Sequence, residues 1–217
     1  MAFHRTFGGG NTSIESKMIV IGLTGGVASG KSLVAEHLQR LGAAVLNGDR
    51  EGHEVLREPE VVRQVQQHFG DTVVRPDGSI DRSAVAKRVF AQSDQGRRDL
   101  AFLEQLTHPR IGERLSRRLE ELRQQDAPVA VVDAALMFKA GWDRHCDRIL
   151  FIDVPRQIRL DRALRRGWSE QDFANREAAQ TPVEEKRSRS DTTIDNSGAL
   201  EQTRRQVEEF WQSLDLG

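Results

Sequence analysis

Near its start the chain passes without a break from an apolar run, Met18-Ile-Val-Ile-Gly-Leu23, into Thr24-Gly-Gly-Val-Ala-Ser-Gly-Lys-Ser32, and then into a segment with Val34, Leu38 and Leu41 at helical spacing. A short run that is apolar on both faces suits a strand buried inside a parallel sheet. The next segment reads as a helix from Lys31 to Leu41, and Gly42 is well placed to end it. Gly25 to Ser32 fits G-x-x-x-x-G-K-[ST], the phosphate-binding loop pattern, in the strand–turn–helix setting that the pattern requires. Glycines let backbone N–H groups close around an anion, and the helix N-terminus adds a partial positive charge. Lys31 is placed to bridge the β- and γ-phosphates of a nucleotide, and the Ser32 hydroxyl to join the shell of Mg²⁺. The alternative, a glycine-rich turn that binds nothing, leaves the lysine and serine in register unexplained.

The alternation of strand and helix continues. Ala43-Ala-Val-Leu46 reads as a second strand ending at Asn47-Gly48-Asp49, Val129-Ala-Val-Val-Asp133 as a third, Arg148-Ile-Leu-Phe-Ile-Asp153 as a fourth and Thr192-Thr-Ile194 as a short fifth. Residues 51–127 are charged and mostly helical in period, with stripes at Leu100, Leu103, Leu106 and at Ile111, Leu115, Leu119, Leu122; a loop from Asp71 to Asp81 interrupts them. A basic helix is expected from Gln157 to Arg166 and an amphipathic one from Leu200 to Leu214. This pattern predicts a three-layer α/β fold with a five-stranded parallel sheet and right-handed crossovers. Residues 1–17, rich in Gly, Ser and Thr, read as a flexible N-terminal tail, and 18–217 as one domain.

Bulk properties remove several classes of function. The formal net charge is −1, so no whole-chain field favours nucleic acid or an anionic membrane. No apolar run approaches the roughly 18 residues that a bilayer span needs, and the N-terminus carries no apolar secretory stretch. A single cysteine, Cys146, allows no internal disulfide, and the six histidines show no ligand spacing with it. The expectation is a cytoplasmic protein acting on a small molecule, with neither nucleic acid nor membrane as partner and a monomer favoured.

A phosphate-binding loop leaves the acceptor open. Switch GTPases stay open in principle, but no N-K-x-D guanine-reading motif is present, and the arginine-rich late segment suits a small-molecule kinase with a mobile lid. Asp49 follows the second strand, at the edge where parallel sheets place ligands; it can take a proton from an acceptor hydroxyl or cap the next helix. Asp133 ends the third strand, where it can serve Mg²⁺ or simply a loop. Arg159, Arg162, Arg165 and Arg166 recur at spacings of three and four, so several share a helix face. Planar guanidinium forks suit phosphate oxygens and the charge that develops in transfer; a solvated basic face is the alternative. Arg162 and Arg166, one turn apart, are the leading pair.

Taken in order, Thr24 to Ser32, Leu41-Gly42, Asp49 with His53, His68-Phe-Gly70 and Asp77-Gly78-Ser-Ile-Asp81-Arg82 resemble the dephospho-CoA kinase family. The resemblance continues through Val89-Phe90, His108-Pro109-Arg-Ile111, Arg176, Gln180, Lys186 and Ile194-Asp-Asn196-Ser-Gly198, and so covers residues 18–214. It implies transfer from ATP, with Mg²⁺, to the ribose 3′-hydroxyl of dephospho-CoA, giving CoA and ADP in the last step of CoA synthesis. It also implies a nucleotide-kinase-like P-loop core, a helical CoA-binding insertion over about 51–127 and a lid over about 157–190. By the same resemblance Asp49 is the base, Thr24 and Lys31 lie at the phosphates, and Arg162 stabilises the transferring group with Arg166 in support. The nucleotide would rest on Gly25, Gly26, Val27, Ala28, Ser29, Gly30, Lys31, Ser32 and Leu33, with the turn from Asn196 to Gly198 bordering the adenine and Ser32 on the metal. Asp49, His53, His108 and Arg176 would face the acceptor; a buried histidine shaping a loop before Pro109 is the alternative for His108.

The chain also departs from the family pattern. Asn47-Gly48-Asp49 stands for Asp-Ala-Asp, Ala135-Leu-Met-Phe138-Lys139 for Pro-Leu-Leu-Phe-Glu, Ala28 for a frequent glycine and Leu33 for a frequent threonine. A retuned environment around acceptor and Mg²⁺ is expected. Another small-molecule or nucleotide kinase, or a nucleotide-binding relative that lost turnover, are the other readings.

Overall fold

The computed structural model describes residues 18–216, so the tail expected over 1–17 lies outside the described residues. In chain order the elements are β1 (Ile19–Gly25), α1 (Lys31–Arg40), β2 (Ala44–Asn47), α2 (Gly48–Val55), α3 (Pro59–Phe69), α4 (Arg82–Val89), α5 (Asp94–Gln124) and β3 (Val129–Asp133). They continue as β4 (Arg148–Asp153), α6 (Arg156–Arg165), α7 (Glu170–Ala178), α8 (Val183–Ser188), β5 (Thr192–Asp195) and α9 (Leu200–Gln212). All five strands pair in parallel, as the alternating pattern predicts, and the structure sets them in the order β2-β3-β1-β4-β5. β1 is central, with Ile21 opposite Val131 of β3 on one side and Arg148 of β4 on the other. The strand order reverses at β1, so the loop after it opens where such sheets leave a crevice.

Alternation along the strands divides the core between two faces. Ile21, Leu23, Val129, Val131, Leu150 and Ile152 pack with Val34 and Leu38 of α1 and with Val207 and Phe210 of α9. Val20, Ala130 and Val132 turn to the other face and meet Val61 and Val65 of α3 and Ile111, Leu115 and Leu119 of α5. Truncating a central residue such as Leu23 to alanine would cost about 3 kcal/mol. A small third cluster joins Val27, in the loop after β1, to Leu160, Ala163 and Phe173 of α6 and α7. The segment after β4 is thereby seated on the phosphate loop.

One local expectation is corrected. No loop precedes Pro109: His108 and Pro109 lie inside α5, a single helix of 31 residues. Proline removes one helical hydrogen bond there. The helix survives because Leu106, Ile111, Leu115 and Leu119 form one buried stripe. Thr107 Oγ1 and Arg110 Nη1 also donate to the carbonyls of Leu103 and Leu106, at 2.8 and 2.7 Å. Among the described residues no helix is long and apolar enough to cross a membrane. Burial pushes the Cys146 thiol up to about 12, which leaves it unreactive at neutral pH.

Candidate active site

Gly30 is the N-cap of α1 with φ +88°, a left-handed backbone that glycine adopts without strain. No side chain caps this helix, and its first turn holds no acidic residue. The leading N–H groups of α1 therefore face outward without a side-chain acceptor, and their partial charge attracts an anion. Ala28 is also left-handed, with φ +59°, at a cost of about 1 kcal/mol for a residue with a Cβ.

The loop is braced from outside. Asn196, 5% exposed, donates from Nδ2 to Ser29 O at 2.8 Å and accepts from Thr203 Oγ1 at 3.0 Å. Arg162 Nη2 donates to Asn196 O at 2.7 Å, and Nη1 reaches Ser29 O at 3.4 Å. Burial, with Arg166 nearby, lowers the pKa of Arg162. Beneath the loop, the Thr24 and Ser29 hydroxyls are buried and have no hydrogen-bond partner among the described residues. Thr24 is wholly buried in β1 and borders neither cavity described below. The Ser32 side chain, on the first turn of α1, is exposed.

Two cavities flank this loop. The larger, about 560 Å³, is bordered by Val27, Ala28, Lys31, Asp49, His53 and His108, with Arg166 and Arg176 on the side of α6 and α7. The smaller, about 260 Å³, is bordered by Gly30, Leu33, Arg162, Arg166, Asn196 and Gly198. Arg166 belongs to both. The sequence candidates thus converge from six separate segments. Gly25, Gly26 and Ser29 shape the loop without bordering either cavity.

Asp49 is not a helix cap. That role falls to Asn47, whose Oδ1 accepts from Arg50 N at 2.9 Å. The Asp49 carboxylate is exposed and makes no hydrogen bond among the described residues. Asn47 also donates from Nδ2 to Asp133 Oδ2 at 3.3 Å. An aspartate at 47 would set two carboxylates against each other; the asparagine supplies a donor instead. Burial raises the Asp133 pKa, Lys31 opposes the shift and Asp49 adds to it. His53 is lowered by burial and by Arg82, while Asp49 pulls it upward. His108 meets Trp142 edge to face at 5.7 Å, and burial lowers its pKa.

The basic segment divides. Arg159 does not face the cleft: it is 3% exposed, with Nε on Val154 O at 3.0 Å and Nη1 on Val27 O at 3.3 Å and on Glu177 Oε1 at 2.6 Å. Arg165 points to solvent. Arg176 stacks on Trp168 at 4.3 Å. Lys139 does not enter the cleft as a free charge, since its Nζ holds Glu104 Oε1 at 2.5 Å and Ala179 O at 3.0 Å. Trp142 and Trp168 border the larger cavity and were not among the sequence candidates. Trp142 opens a four-residue 3-10 helix and Trp168 lies in the connection between α6 and α7, and neither stretch is long enough for periodicity to mark a residue as inward.

The family model described as dephospho-CoA kinase matches residues 19–202. A dephospho-CoA kinase of Geobacter sulfurreducens is 41% identical over 196 residues, covering 89% of this chain and 98% of that protein. The crystal structure of TT1252 from Thermus thermophilus matches with a TM-score of 0.74 at 33% identity, covering 91% of this chain and 98% of that one. A dephospho-CoA kinase from Campylobacter jejuni shares the fold, with a TM-score of 0.66 at 22% identity over 89% of this chain and 95% of that one. Sheet order, phosphate loop and the extent of these matches lead to one conclusion: the chain belongs to the dephospho-CoA kinase family.

Proposed function

We propose that this protein transfers the γ-phosphoryl group of ATP to the ribose 3′-hydroxyl of dephospho-CoA, giving ADP and CoA. The observation that carries this reading is the shared wall of one cleft: Lys31 and Asp49 border the same cavity of about 560 Å³, beside an uncapped helix N-terminus. The triphosphate would lie on residues 25–32, with adenosine in the smaller recess against Leu33, Asn196 and Gly198. Lys31 neutralises the β- and γ-phosphates. Asp49, exposed and without a protein hydrogen bond, takes the proton from the attacking hydroxyl. Arg162 and Arg166 balance charge on the transferring group. Thr24, buried beneath the loop, would support it rather than touch the phosphoryl group. His53, His108 and Arg176 would hold the acceptor, with helices α2–α5 as its binding insertion and α6–α8 as a lid that excludes water.

Among the described residues no group of three or more His, Cys, Asp or Glu could hold a metal. That suits Mg²⁺, which keeps few protein ligands and would be held by the Ser32 hydroxyl together with phosphate oxygens. Bound there, it would offset charge on the β- and γ-phosphates. Action in the cytoplasm as a monomer is part of the same proposal. The test offers purified protein ATP, Mg²⁺ and a panel of acceptors, with ADP release as the readout. Turnover with dephospho-CoA is expected. Phosphorylation of a nucleoside monophosphate but not of dephospho-CoA rejects the reading, as does tight ATP binding without ADP formation.

A further inference from the structure

Lys186, on α8, is 1% exposed and forms no ion pair among the described residues. Its Nζ donates to three neutral oxygens instead: Gly25 O at 3.1 Å, Ala135 O at 3.1 Å and Gln180 Oε1 at 2.7 Å. An ammonium has three N–H donors, and here each has one acceptor. The acceptors come from three separate segments around the cleft. Gly25 is the last residue of β1, where the phosphate loop begins. Ala135 lies two residues past β3 and borders the larger cavity. Gln180 follows α7 and borders the same cavity from the opposite side of the chain.

The electrostatics of this arrangement are unfavourable. Burial, with the cations Lys31 and Arg159 nearby, pushes the Lys186 ammonium down to about 7. A buried cation without a counter-ion does little for stability, and a methionine would fill similar space without the charge. What the ammonium does supply is a single point to which two backbone carbonyls and the Gln180 side chain are fixed.

We propose that Lys186 is a positioning residue for phosphoryl transfer: it ties the root of the phosphate loop, the turn after β3 and the end of α7 into one corner, and so sets the separation of donor and acceptor. The inference rests on the kinase reading of the cleft. Lys186 acts through Gly25 and Ala135, not by contact with substrate. Loss of the tie lets the two sides of the cleft drift, and a misplacement of about 1 Å costs on the order of 100-fold in rate. A bound triphosphate lowers the electrostatic cost of the buried cation, so nucleotide binding and the tie reinforce each other.

The test compares Lys186→Met and Lys186→Gln with the unsubstituted protein for kcat, KM of both substrates, melting temperature and the rise in melting temperature on adding ATP. Lys186→Met is expected to lose about 100-fold in kcat with both KM values within about threefold, and to gain less stability from ATP. Lys186→Gln, whose amide keeps two N–H donors, is expected to recover about tenfold over methionine. A folded variant of either kind with kcat within about threefold of the parent overturns the proposal. So does a kcat loss that merely tracks the unfolded fraction, the mark of a purely structural residue. Should the methionine variant not fold, the glutamine variant alone decides by the same criteria. If the parent itself does not turn over dephospho-CoA, the kinase reading has failed; the ratio of variant to parent is then taken with whichever acceptor, or water, supports ADP release.

Discussion

Arg159 offers the sharpest check on how the segment after β4 supports the phosphate loop. Its guanidinium lies directly beneath the loop: a Cβ added at Gly26 would sit 2.7 Å from Nη1. It is also 5.6 Å from the centre of the Phe173 ring, and its one carboxylate partner among the described residues is Glu177, at 2.6 Å. Glu177→Gln keeps the shape and removes the charge. The exposed contact from Arg156 to Glu177 is worth at most about 0.5 kcal/mol. The buried contact is different, because its loss strands a guanidinium whose side chain is only 4% exposed. Breaking a buried pair costs about 3–5 kcal/mol, and the partial exposure of Glu177, 21%, points to the lower end, about 3. Replacing both partners, Arg159→Met with Glu177→Gln, removes the stranded charge and should return to within about 1 kcal/mol of the parent. Urea unfolding of the two single variants and the double variant gives the coupling energy, expected near 2–3 kcal/mol. Additive effects, or a loss below about 1 kcal/mol for Glu177→Gln, would show that the pair does not support the loop.

Further expectations follow from single side chains. Asp49→Asn should lower kcat by roughly 10²- to 10⁴-fold while ATP affinity, read by calorimetry, stays near the parent value; near-normal turnover would remove Asp49 from the proposed mechanism. Ala28→Gly should raise stability by about 0.5–1 kcal/mol, because glycine tolerates the left-handed backbone at that position, and an unchanged unfolding midpoint would contradict the strain. Lys139→Glu should destabilise by about 1–2 kcal/mol, and the charge swap with Glu104→Lys should recover most of it, checked by paired melting curves. For Asp133 the folded-state pKa is raised, so its burial disfavours folding only once the group ionises. Asp133→Asn should therefore raise the melting temperature at neutral pH, with the gain fading as pH falls through the raised pKa and gone below the ordinary 3.8. A gain that does not change with pH would refute that cause.

Much of the architecture was legible because it rests on short-range rules. The phosphate loop, the succession of strands and helices along the chain and the position of Asp49 after β2 all follow from spacing and apolar pattern, whereas the order of strands in the sheet does not. The internal division of the basic helix was not legible. Arg159, Arg162 and Arg166 look alike along the chain, and only tertiary packing turns the first inward under Val27, sets the second on Asn196 and leaves the third at the cavities. The same limit applies to Lys186, which sits on a helix of six residues with no apolar stripe to mark its buried side. His108 was misjudged locally because proline usually signals a break, and here the stripe of buried leucines along α5 outweighs one lost hydrogen bond. Asn47 and Lys139 looked like losses against the family pattern. Each has a partner in the fold that accounts for it.

Arg166 borders both chambers. On the proposed placement of the two substrates, a substitution there alters the grip on both, so evolution toward a different alcohol has little freedom at that wall. The room for such change lies on α5, where Leu100 and Leu103 border the larger chamber and not the smaller one.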